Sequence, residues 1–339
     1  MKIALDAQLT VGSATGIGEY ASGLMTALRR DRQDFVVLRE PRLDPWRFDR
    51  RLLWDQVLLP ARAGRCGATL LHCLSGTVPL LHSMPVVATV HDVAWLRVQG
   101  HAPWYARRYF GKFSLDRYRG CAAIVTDSAF SRDELLALLP GLDARRVYVV
   151  TPGVSEDFGR VPRQSDQRTI LVVGTVERRK NLAYLVRMLT KLPQARVISI
   201  GPATPYREAC AALARDLGVA DRLVFRGYLE RGELLALYGT AALAAVPSVY
   251  EGFGYAVAQA LCAGLPCVSS DRASLSEFAG DGARVISLED EAGWTDALAG
   301  ALRGDEESHA AQIRESAISR FSWPAAARKI VEIYRLVDG

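Results

Sequence analysis

The sequence predicts an α/β fold made of two doubly wound parallel sheets. Short apolar runs with the length of buried strands alternate with helical patterns along the chain, and no period indicates a repeat protein. The chain has 339 residues, of which 50% are hydrophobic, so it is long enough for two ordinary domains with separate cores. The clearest strand-like runs are 147–150, 170–173, 197–200, 223–225 and 241–246.

Composition and charge narrow the class of protein. The chain starts with a strand-like run and has no apolar signal core, and no apolar run approaches bilayer length, so we expect a cytoplasmic protein. Six scattered cysteines lack the paired spacing of zinc or redox motifs. Residues 1–160 carry 21 Lys and Arg against 16 Asp and Glu. That excess is too small for a nucleic-acid surface but compatible with anionic lipid or a diphosphate.

The residues around Glu251 predict a strand, a loop and a helix. The run 241–246 leads through Glu251, Gly252 and Gly254 into an apolar helical pattern. A helix beginning beside Gly254 would aim its free N–H groups at an anion at the carboxyl end of the strand. Glu251 could accept hydrogen bonds from ligand hydroxyls, and Gln259 lies eight positions further on. This suits a sugar joined to a phosphate, although a tight turn with a helix-capping acid would explain the same residues.

Two strand ends in the first half carry further polar candidates. Gly12, Gly16 and Gly18 lie between the first strand and a helical pattern, where a flexible glycine loop suits a diphosphate. A buried strand ends in His91-Asp92, and a histidine there can donate to a sugar hydroxyl. A mobile surface turn and a histidine bonded to backbone groups are the simpler alternatives.

Three consecutive cations, Arg178-Arg179-Lys180, follow the strand-like run 170–173. They precede a helical pattern that starts near Asn181, so they suit a clamp for a pyrophosphate. A solvated run of cations is the alternative.

Four further segments are predicted to form helices. The amphipathic run 51–60 is predicted to end at Pro60. Segment 104–119 interleaves aromatic and basic residues, which suits a membrane interface or an ordinary helix with a buried aromatic side. Ser128 is a candidate cap for a helix, and 321–334 predicts a terminal helix.

Taken together, these motifs resemble the retaining family-4 glycosyltransferases of the GT-B fold. The resemblance covers nearly the whole chain, and its loops at 15–20 and 174–181 are similar to the mannosyl- and rhamnosyltransferase branch of O-antigen and exopolysaccharide synthesis. The motifs that carry it are Thr-Gly-Ile-Gly-x-Tyr at 15–20, Gly-Thr-x-Glu-x-Arg-Lys-Asn at 174–181, Ser-x-Tyr-Glu-Gly-Phe-Gly at 248–254, Gly-Leu-Pro-Cys-Val at 264–268 and Ser-Leu-Ser-Glu-Phe-Ala-Gly-Asp at 274–281.

The resemblance implies two Rossmann-like domains facing a cleft. Residues 1–158 would form the acceptor-side domain, 159–168 the linker and 169–320 the domain that binds the nucleotide sugar. Residues 321–339 would cross back as a helix onto the first domain.

It also implies the roles of individual residues. Glu251 would hold the donor sugar, with His91 beside it, and Arg179 and Lys180 would stabilise the leaving diphosphate. Gln259 stands where the family has a second Glu that binds the ribose.

Several further residues would complete the donor site. Thr175 stands where most relatives have an Arg. Tyr228 would stack on the base or cover it. The donor loops would contain Gly16 and Gly18 in the first domain and Gly252, Phe253 and Gly254 in the second.

The activity so implied is retaining, metal-independent hexosyl transfer with no cofactor besides the nucleotide-sugar substrate. The expected donor is a GDP-linked mannose or deoxyhexose, with a UDP- or dTDP-sugar as the alternative. The expected acceptor is a saccharide or a polyprenyl-diphosphate-linked saccharide of polysaccharide or lipopolysaccharide synthesis. Peripheral contact with the inner face of the cell membrane would use 104–119, and no nucleic-acid partner is expected.

Two other classes stay open. Gln259 and Thr175 allow a noncatalytic homologue that binds sugar nucleotides without transferring the sugar. A sugar-nucleotide epimerase would need additional carboxylates as acid and base.

Overall fold

The computed structural model describes residues 1–12, 16–98, 103–305 and 310–338, with only the backbone of Asp281. The described residues form two parallel six-stranded sheets with helices between the strands, which confirms the predicted fold class. The chain divides into two compact units. The first consists of Met1–Gly153 and Ser322–Gly339, and the second of Val154–Phe321.

The first unit holds a sheet with the strand order β2-β1-β3-β4-β5-β6. Its central strands are buried along their whole length, as expected for a parallel sheet covered on both faces. The strands are β1 (Ile3–Asp6), β2 (Phe35–Leu38), β3 (Leu70–Cys73), β4 (Val86–Val90), β5 (Ala123–Thr126) and β6 (Val147–Val149). The α-helices are α1 (Gly16–Arg30), α2 (Phe48–Leu53), α3 (Leu59–Arg65), α4 (Ala94–Arg97), α5 (Trp104–Ala106), α6 (Ser114–Tyr118) and α7 (Ala129–Leu138).

Two stretches of the first unit are continuous helices interrupted by π-helical turns. The turn Trp54–Leu58 joins α2 to α3, and the turn Arg107–Phe113 joins α5 to α6. The prediction that the first of these helices ends at Pro60 is wrong. Pro60 lies in the first turn of α3, where the missing N–H is tolerated because the preceding wide turn already shifts the hydrogen-bond pattern. The predicted cap of α7 is confirmed, since Ser128 accepts from the backbone N–H of Ser131 at 3.0 Å.

The second unit has the strand order β9-β8-β7-β10-β11-β12, in which the order reverses between β7 and β10. This is the doubly wound arrangement that binds ligands at the reversal point. The strands are β7 (Thr169–Val173), β8 (Arg196–Ile200), β9 (Leu223–Gly227), β10 (Leu243–Val246), β11 (Cys267–Ser270) and β12 (Ala283–Ile286). The helices are α8 (Glu156–Gly159), α9 (Leu182–Met188), α10 (Tyr206–Asp216), α11 (Arg231–Thr240), α12 (Tyr255–Cys262), α13 (Leu275–Ala279), α14 (Glu291–Arg303) and α15 (Ala310–Arg320).

The chain passes between the units at Gly153 and Val154, not after Phe158. The N–H of Val154 donates to Phe321 at 3.0 Å, and Phe158 is fully buried with its ring centroid 4.9 Å from that of Tyr238. Residues 154–158 are therefore part of the second unit, because their apolar side chains fill its core.

The segment 159–168, predicted as a linker, is also tied to the second unit. The guanidinium of Arg163 donates to the carbonyl oxygens of Tyr238 and Ala241 at 2.7 and 2.8 Å. The backbone N–H of Gln164 donates to Gly239 at 2.9 Å. These bonds fix the segment along the end of α11.

The terminal helix α16 (Trp323–Asp338) belongs to the first unit, as predicted. Tyr334 is fully buried, and its hydroxyl lies 2.6 Å from Nδ1 of His72. Trp323 lies against two glycines: a Cβ at Gly23 in α1 would be 2.1 Å from the indole ring, and one at Gly153 would be 2.3 Å from the Trp323 backbone nitrogen. The absence of side chains at these two positions lets α16 pack against α1.

Candidate functional site

Three charged residues of the second unit meet where its strand order reverses. Arg179 and Lys180 follow β7, and Glu251 follows the neighbouring strand β10. Parallel neighbouring strands present their carboxyl ends at the same edge of the sheet, so the two loops lie side by side. A backbone hydrogen bond of 2.8 Å from Val249 to the carbonyl of Arg179 joins them.

The Glu251 carboxylate is held by both cations at once. Its Oε1 accepts from Nζ of Lys180 at 2.5 Å and from the hydroxyl of Ser248 at 2.7 Å. Its Oε2 accepts from Nη1 of Arg179 at 2.9 Å. Charge-assisted bonds of this kind are shorter and stronger than bonds between neutral groups. We call Arg179, Lys180 and Glu251 the charged cluster.

Burial and charge act in opposite directions on Glu251, whose side chain is only 7% exposed. Burial alone would raise the pKa of its carboxyl group, but the charges of Lys180 and Arg179 and the hydrogen bonds from Lys180 and Ser248 lower it to about 2. The residue is therefore ionised throughout the physiological pH range.

Backbone geometry brings the cations to the carboxylate. Gly174 follows β7 with φ of +133°, and a Cβ there would approach Cε of Lys180 to 3.2 Å, so the lysine side chain passes over this glycine. Asn181 then adopts a left-handed conformation with φ of +54° immediately before α9. This turn ends the three-cation run and starts the helix, as the sequence predicted.

Sequence reasoning missed three residues that support the charged cluster. The hydroxyl of Ser274 donates to the backbone carbonyl of Glu251 at 2.9 Å, and Ser248 binds its carboxylate from three positions earlier. Glu177 forms an ion pair of 2.8 Å with Nε of Arg179. Ser248 and Ser274 belong to quoted motifs, so their positions were available, but only the folded backbone shows their contacts with Glu251.

The helix predicted after Gly254 is present. Gly254 adopts a left-handed conformation with φ of +88° directly before α12, and a Cβ there would collide with Leu275 at 2.7 Å. Gly252 is buried beside it. The backbone at the helix start is therefore closely packed against α13.

Two predicted donor residues face the interior of the second unit. Gln259 is 7% exposed, and its Oε1 accepts from the hydroxyl of fully buried Tyr238 at 3.1 Å. Phe253 is 4% exposed and packs against Phe278 with ring centroids 4.6 Å apart. The structure thus places the Phe253 ring in the core and not beside the charged cluster. Tyr228, which follows β9, is by contrast nearly half exposed.

His91 lies at the end of β4 in the first unit with both ring nitrogens engaged. Nδ1 lies 2.7 Å from the carboxylate of Asp127, and Nε2 lies 2.9 Å from the carbonyl oxygen of Leu74. Both partners are acceptors, so only the doubly protonated ring satisfies both bonds. Burial alone would lower the pKa of His91, but the charge and hydrogen bond of Asp127, aided by the Leu74 carbonyl, raise it. Asp127 was not among the predicted residues. It follows β5, 36 residues after His91, and comes close to His91 only because β4 and β5 are neighbours in the sheet.

The predicted glycine loop of the first unit is only partly described. Residues 13–15 lie outside the described residues. Gly16 and Gly18 are in the first turn of α1, with Gly16 exposed and Gly18 buried. Gly12 precedes the gap with φ of +84°.

Within the described residues, no group of three His, Cys, Asp or Glu side chains is arranged to hold a metal ion. In the same part of the chain, none of the helices has the length and apolar character needed to cross a bilayer.

Two family models match overlapping parts of the chain. Residues 154–320 match the model described as Glycosyl transferases group 1, and residues 19–158 match the model described as Glycosyltransferase Family 4.

Curated relatives point to the same family. A D-inositol 3-phosphate glycosyltransferase of Xylanimonas cellulosilytica is 32% identical over 76% of this chain and 66% of its own length. An alpha-maltose-1-phosphate synthase of Mycolicibacterium smegmatis is 26% identical over 76% of this chain and 75% of its own length. The chain spans slightly less than two thirds of the inositol-phosphate relative.

Solved structures confirm the GT-B fold. A sucrose-phosphate synthase from Thermosynechococcus elongatus superposes with a TM-score of 0.79 at 18% identity, covering 99% of this chain and 98% of its own. Anabaena HepE in complex with UDP-glucose has a TM-score of 0.76 at 16% identity and covers 99% of both chains. At these identities the likeness concerns the fold.

Proposed function

Because the chain belongs to the group 1/family 4 glycosyltransferases, whose models together match residues 19–320, we propose that it transfers a sugar from a nucleotide-diphosphate donor to an acceptor hydroxyl. The single observation that carries this proposal is the charged cluster at the reversal point of the second sheet. Two cations and a buried carboxylate at that position match the two parts of a nucleotide sugar, a diphosphate and a polyhydroxylated ring.

The charged cluster can exchange partners when the donor binds. In the free protein, Glu251 neutralises Arg179 and Lys180 directly. A diphosphate offers these cations a second set of anionic oxygens, and Glu251 can then accept hydrogen bonds from sugar hydroxyls. Two serines keep Glu251 in place during this exchange. Ser248 donates to its carboxylate, and Ser274 donates to its backbone carbonyl.

The proposed reaction replaces one bond at the anomeric carbon with another. The bond from this carbon to the diphosphate oxygen breaks, and the acceptor oxygen forms a new bond to it. The acceptor proton moves to the departing phosphate, and the negative charge of the nucleoside diphosphate is stabilised by Arg179 and Lys180. We propose that the configuration at the anomeric carbon is retained and that no metal ion takes part.

His91 is proposed to contact the donor sugar in the same reaction. Its two ring N–H groups are bonded to Asp127 and Leu74, so contact with a hydroxyl requires one of these bonds to open. Gly16, Gly18, Gly252 and Gly254 are proposed to approach the donor through their backbone, because glycine has no side chain that would hold a ligand away from the main chain.

Gln259 and Tyr228 are proposed to bind the nucleoside. Gln259 would have to turn its amide from Tyr238 to reach a ribose. Tyr228 is exposed enough to cover a base without rearrangement. A noncatalytic homologue remains the competing proposal, supported by the neutral side chain of Gln259.

The nucleotide of the donor has more than one candidate. Our prediction from the sequence is a GDP-linked mannose or deoxyhexose. The alternative is a UDP- or dTDP-sugar, and the UDP-sugar is supported by the fold neighbour HepE, described in complex with UDP-glucose. A saccharide or lipid-linked saccharide is the proposed acceptor, with a phosphorylated polyol or sugar as the alternative suggested by the names of the inositol-phosphate, maltose-phosphate and sucrose-phosphate relatives.

The nucleotide can be identified by thermal shift. The purified protein is melted with GDP, UDP, dTDP or ADP, each with and without EDTA, because a ligand that prefers the folded state raises the melting temperature. A shift with GDP alone supports the GDP-sugar, whereas a shift with UDP or dTDP instead contradicts that donor and keeps the enzyme class. A shift that EDTA abolishes contradicts the metal-independent reaction. No shift with any nucleotide favours a chain that does not bind the donor.

Catalysis is tested with the charged cluster itself. Lys180→Gln should lower kcat for release of the nucleoside diphosphate by about a hundredfold or more, since it removes a cation that stabilises the leaving group. The matched control is Lys191→Gln, which removes a surface cation of the same unit that pairs with Glu291. Equal activity of the two variants would contradict the proposed role of Lys180. An intact protein that binds the nucleotide but neither hydrolyses nor transfers the sugar would support the noncatalytic homologue.

A further inference from the structure

The first unit exposes large apolar side chains on three segments. Trp46, Leu53, Val57, Leu81 and Trp104 are each more than 40% exposed, and Leu81 and Trp104 reach 80% and 76%. We call these five residues the apolar surface. Single exposed apolar residues are common on proteins, but a contiguous group of them indicates a binding surface.

Contacts between the segments show that they are neighbours. The ring of Phe48 lies 4.9 Å from that of Tyr105, which joins the start of α2 to α5. Gln56 donates to the hydroxyl of Tyr109 at 2.8 Å and accepts from the N–H of Leu80 at 2.9 Å. The helix that carries Leu53 and Val57 therefore touches the segments that carry Trp104 and Leu81.

The exposed residues are not part of an incompletely packed core. Trp54, next to Leu53, is fully buried, and its indole N–H donates to Asp6 at 2.9 Å. Asp55 is also buried and pairs with Arg51 at 2.8 Å. The inner side of this helix is thus engaged through Trp54, Asp55 and the buried Leu59, while the side chains of Leu53 and Val57 are exposed to solvent.

The charge around the apolar surface is positive. Segments 42–65 and 103–119 together contain eleven Lys and Arg and four Asp, an excess of seven that exceeds the net charge of +5 of the whole chain. Among these cations, Arg108 and Lys112 are exposed on the same helical segment as Trp104. Apolar side chains surrounded by cations are complementary to an anionic lipid headgroup layer above acyl chains.

We propose that the apolar surface docks the protein peripherally on an anionic lipid bilayer, with Trp46, Leu53, Val57, Leu81 and Trp104 entering the interface and the nearby cations contacting lipid phosphates. This extends the membrane contact expected for 104–119 to the helix 48–65 and the segment around Leu81. The purpose of this docking, which is access to a lipid-linked acceptor, rests on the proposed function, but lipid binding itself does not. Lipid binding is measured without donor or acceptor, so its failure is distinguishable from failure of the transferase reaction.

The test is sedimentation of the full chain with vesicles. Vesicles of equal parts phosphatidylglycerol and phosphatidylcholine should sediment the protein, whereas pure phosphatidylcholine vesicles should bind it weakly. Trp104→Ser and Leu53→Ser should each lower the vesicle binding constant by about tenfold or more, because each removes an apolar side chain from the interface. Arg108→Gln should lower it by about fivefold, and high salt should act in the same direction.

Matched controls remove exposed groups of the same unit outside these segments. Leu336→Ser and Arg145→Gln change side chains that are 69% and 90% exposed. Both should leave vesicle binding unchanged. Equal losses in the controls and in the Trp104 and Leu53 variants would overturn the proposal, as would failure of the unmodified chain to sediment with the anionic vesicles.

Tryptophan fluorescence gives a second readout. Brominated acyl chains in the same vesicles should quench emission. Replacing both Trp46 and Trp104 with Phe should remove much of the quenching, since these two side chains are 56% and 76% exposed whereas Trp54 and Trp294 are fully buried. Absence of quenching would overturn insertion of the surface. A second copy of the chain is the competing occupant: concentration-dependent dimerisation abolished by Leu53→Ser, without vesicle binding, would also overturn the proposal.

Discussion

Glu251 is a buried carboxylate whose charge is held in place by two cations. Its folded pKa of about 2 is below its ordinary value of 4.5, so its ionised form stabilises the folded state. This contribution should be fully present above about pH 4.5 and should be lost as the pH falls toward 2. Urea unfolding at a series of pH values should show this loss in the unmodified chain.

Glu251→Gln identifies the source of that pH dependence. At neutral pH the variant should unfold more easily, because Arg179 and Lys180 lose their shared partner, and the difference should shrink as the pH approaches 2. Glu291→Gln is the control, since its exposed ion pair with Lys191 is screened by solvent. A stability difference that stays the same across the acid range would show that the pKa of Glu251 is the same in the folded and unfolded states, which would contradict stabilisation of its charge by the two cations.

The pH dependence of stability that His91 contributes is opposite in sign to that of Glu251. Its folded pKa is raised, so the stability it contributes is fully present below its ordinary pKa of about 6.5 and is lost as the pH rises through the folded value. Asp127→Asn should lower the pKa of His91, because the neutral amide keeps an acceptor but loses the charge. NMR titration of the imidazole measures this shift.

The control for His91 is Asp92→Asn. Asp92 is the next residue and accepts from the N–H of Ala94 at 2.9 Å, a bond that an asparagine oxygen can keep. Its effect on the pKa of His91 should be smaller than that of Asp127→Asn. Equal effects of the two substitutions would mean that the pKa of His91 is raised by nearby negative charge in general and not by the direct bond to Asp127.

Sequence motifs identified the main charged residues but not their partners. Glu251 and Lys180 were found because their loops have recognisable composition and follow apolar runs. Their direct contact depends on β7 lying next to β10, which local sequence does not specify. The pairing of His91 with Asp127 likewise depends on the neighbouring strands β4 and β5. Gln259 was assigned to a ligand because its spacing matched the family, yet its bond to Tyr238 comes from a separate helix.

At the scale of elements, the packing of α16 on α1 depends on two glycines. Gly23→Ala should destabilise the first unit by about 1–3 kcal/mol, because the new methyl group would overlap the indole ring of Trp323. Gly64→Ala is the matched control in a helix of the same unit, where the added Cβ would lie 3.6 Å from Ser83. That control should be neutral or slightly stabilising. Thermal unfolding compares the two variants, and equal melting temperatures would contradict the tight contact.

Element types were more predictable than element ends. The alternation of apolar runs and helical patterns was sufficient for the strands, because buried parallel strands are nearly continuous apolar segments. Pro60 was misread as a helix end because a proline normally disrupts a helix interior. In the π-helical turn that accommodates it, Trp54 and Asp55 both face inward. Arg51 stands four residues before its partner Asp55, a spacing that the sequence shows, but Asp6, the partner of Trp54, lies on β1 and is not indicated by local spacing.

At the scale of the whole molecule, the first unit is assembled from two distant parts of the chain. Truncation after Phe321 should leave the second unit intact, since residues 154–321 contain its sheet and both of its core clusters. The first unit should lose protection from hydrogen exchange in α1 and β3, because these elements contact Trp323 and Tyr334 through Gly23 and His72. Equal loss of protection in both units would contradict this division.

The return of α16 to the first unit also orders events during synthesis. Residues 322–339 emerge from the ribosome only after all of 154–321 has been translated, which takes roughly 10 to 30 s at about 5–20 residues per second. Until then, the surface of α1 around Gly23 has no partner, and the nascent first unit exposes apolar groups that the finished protein buries. The second unit, continuous in sequence, can complete its core before the first. The N-terminal part of this protein is therefore made first and finished last, and it is the part with the greater need for a chaperone.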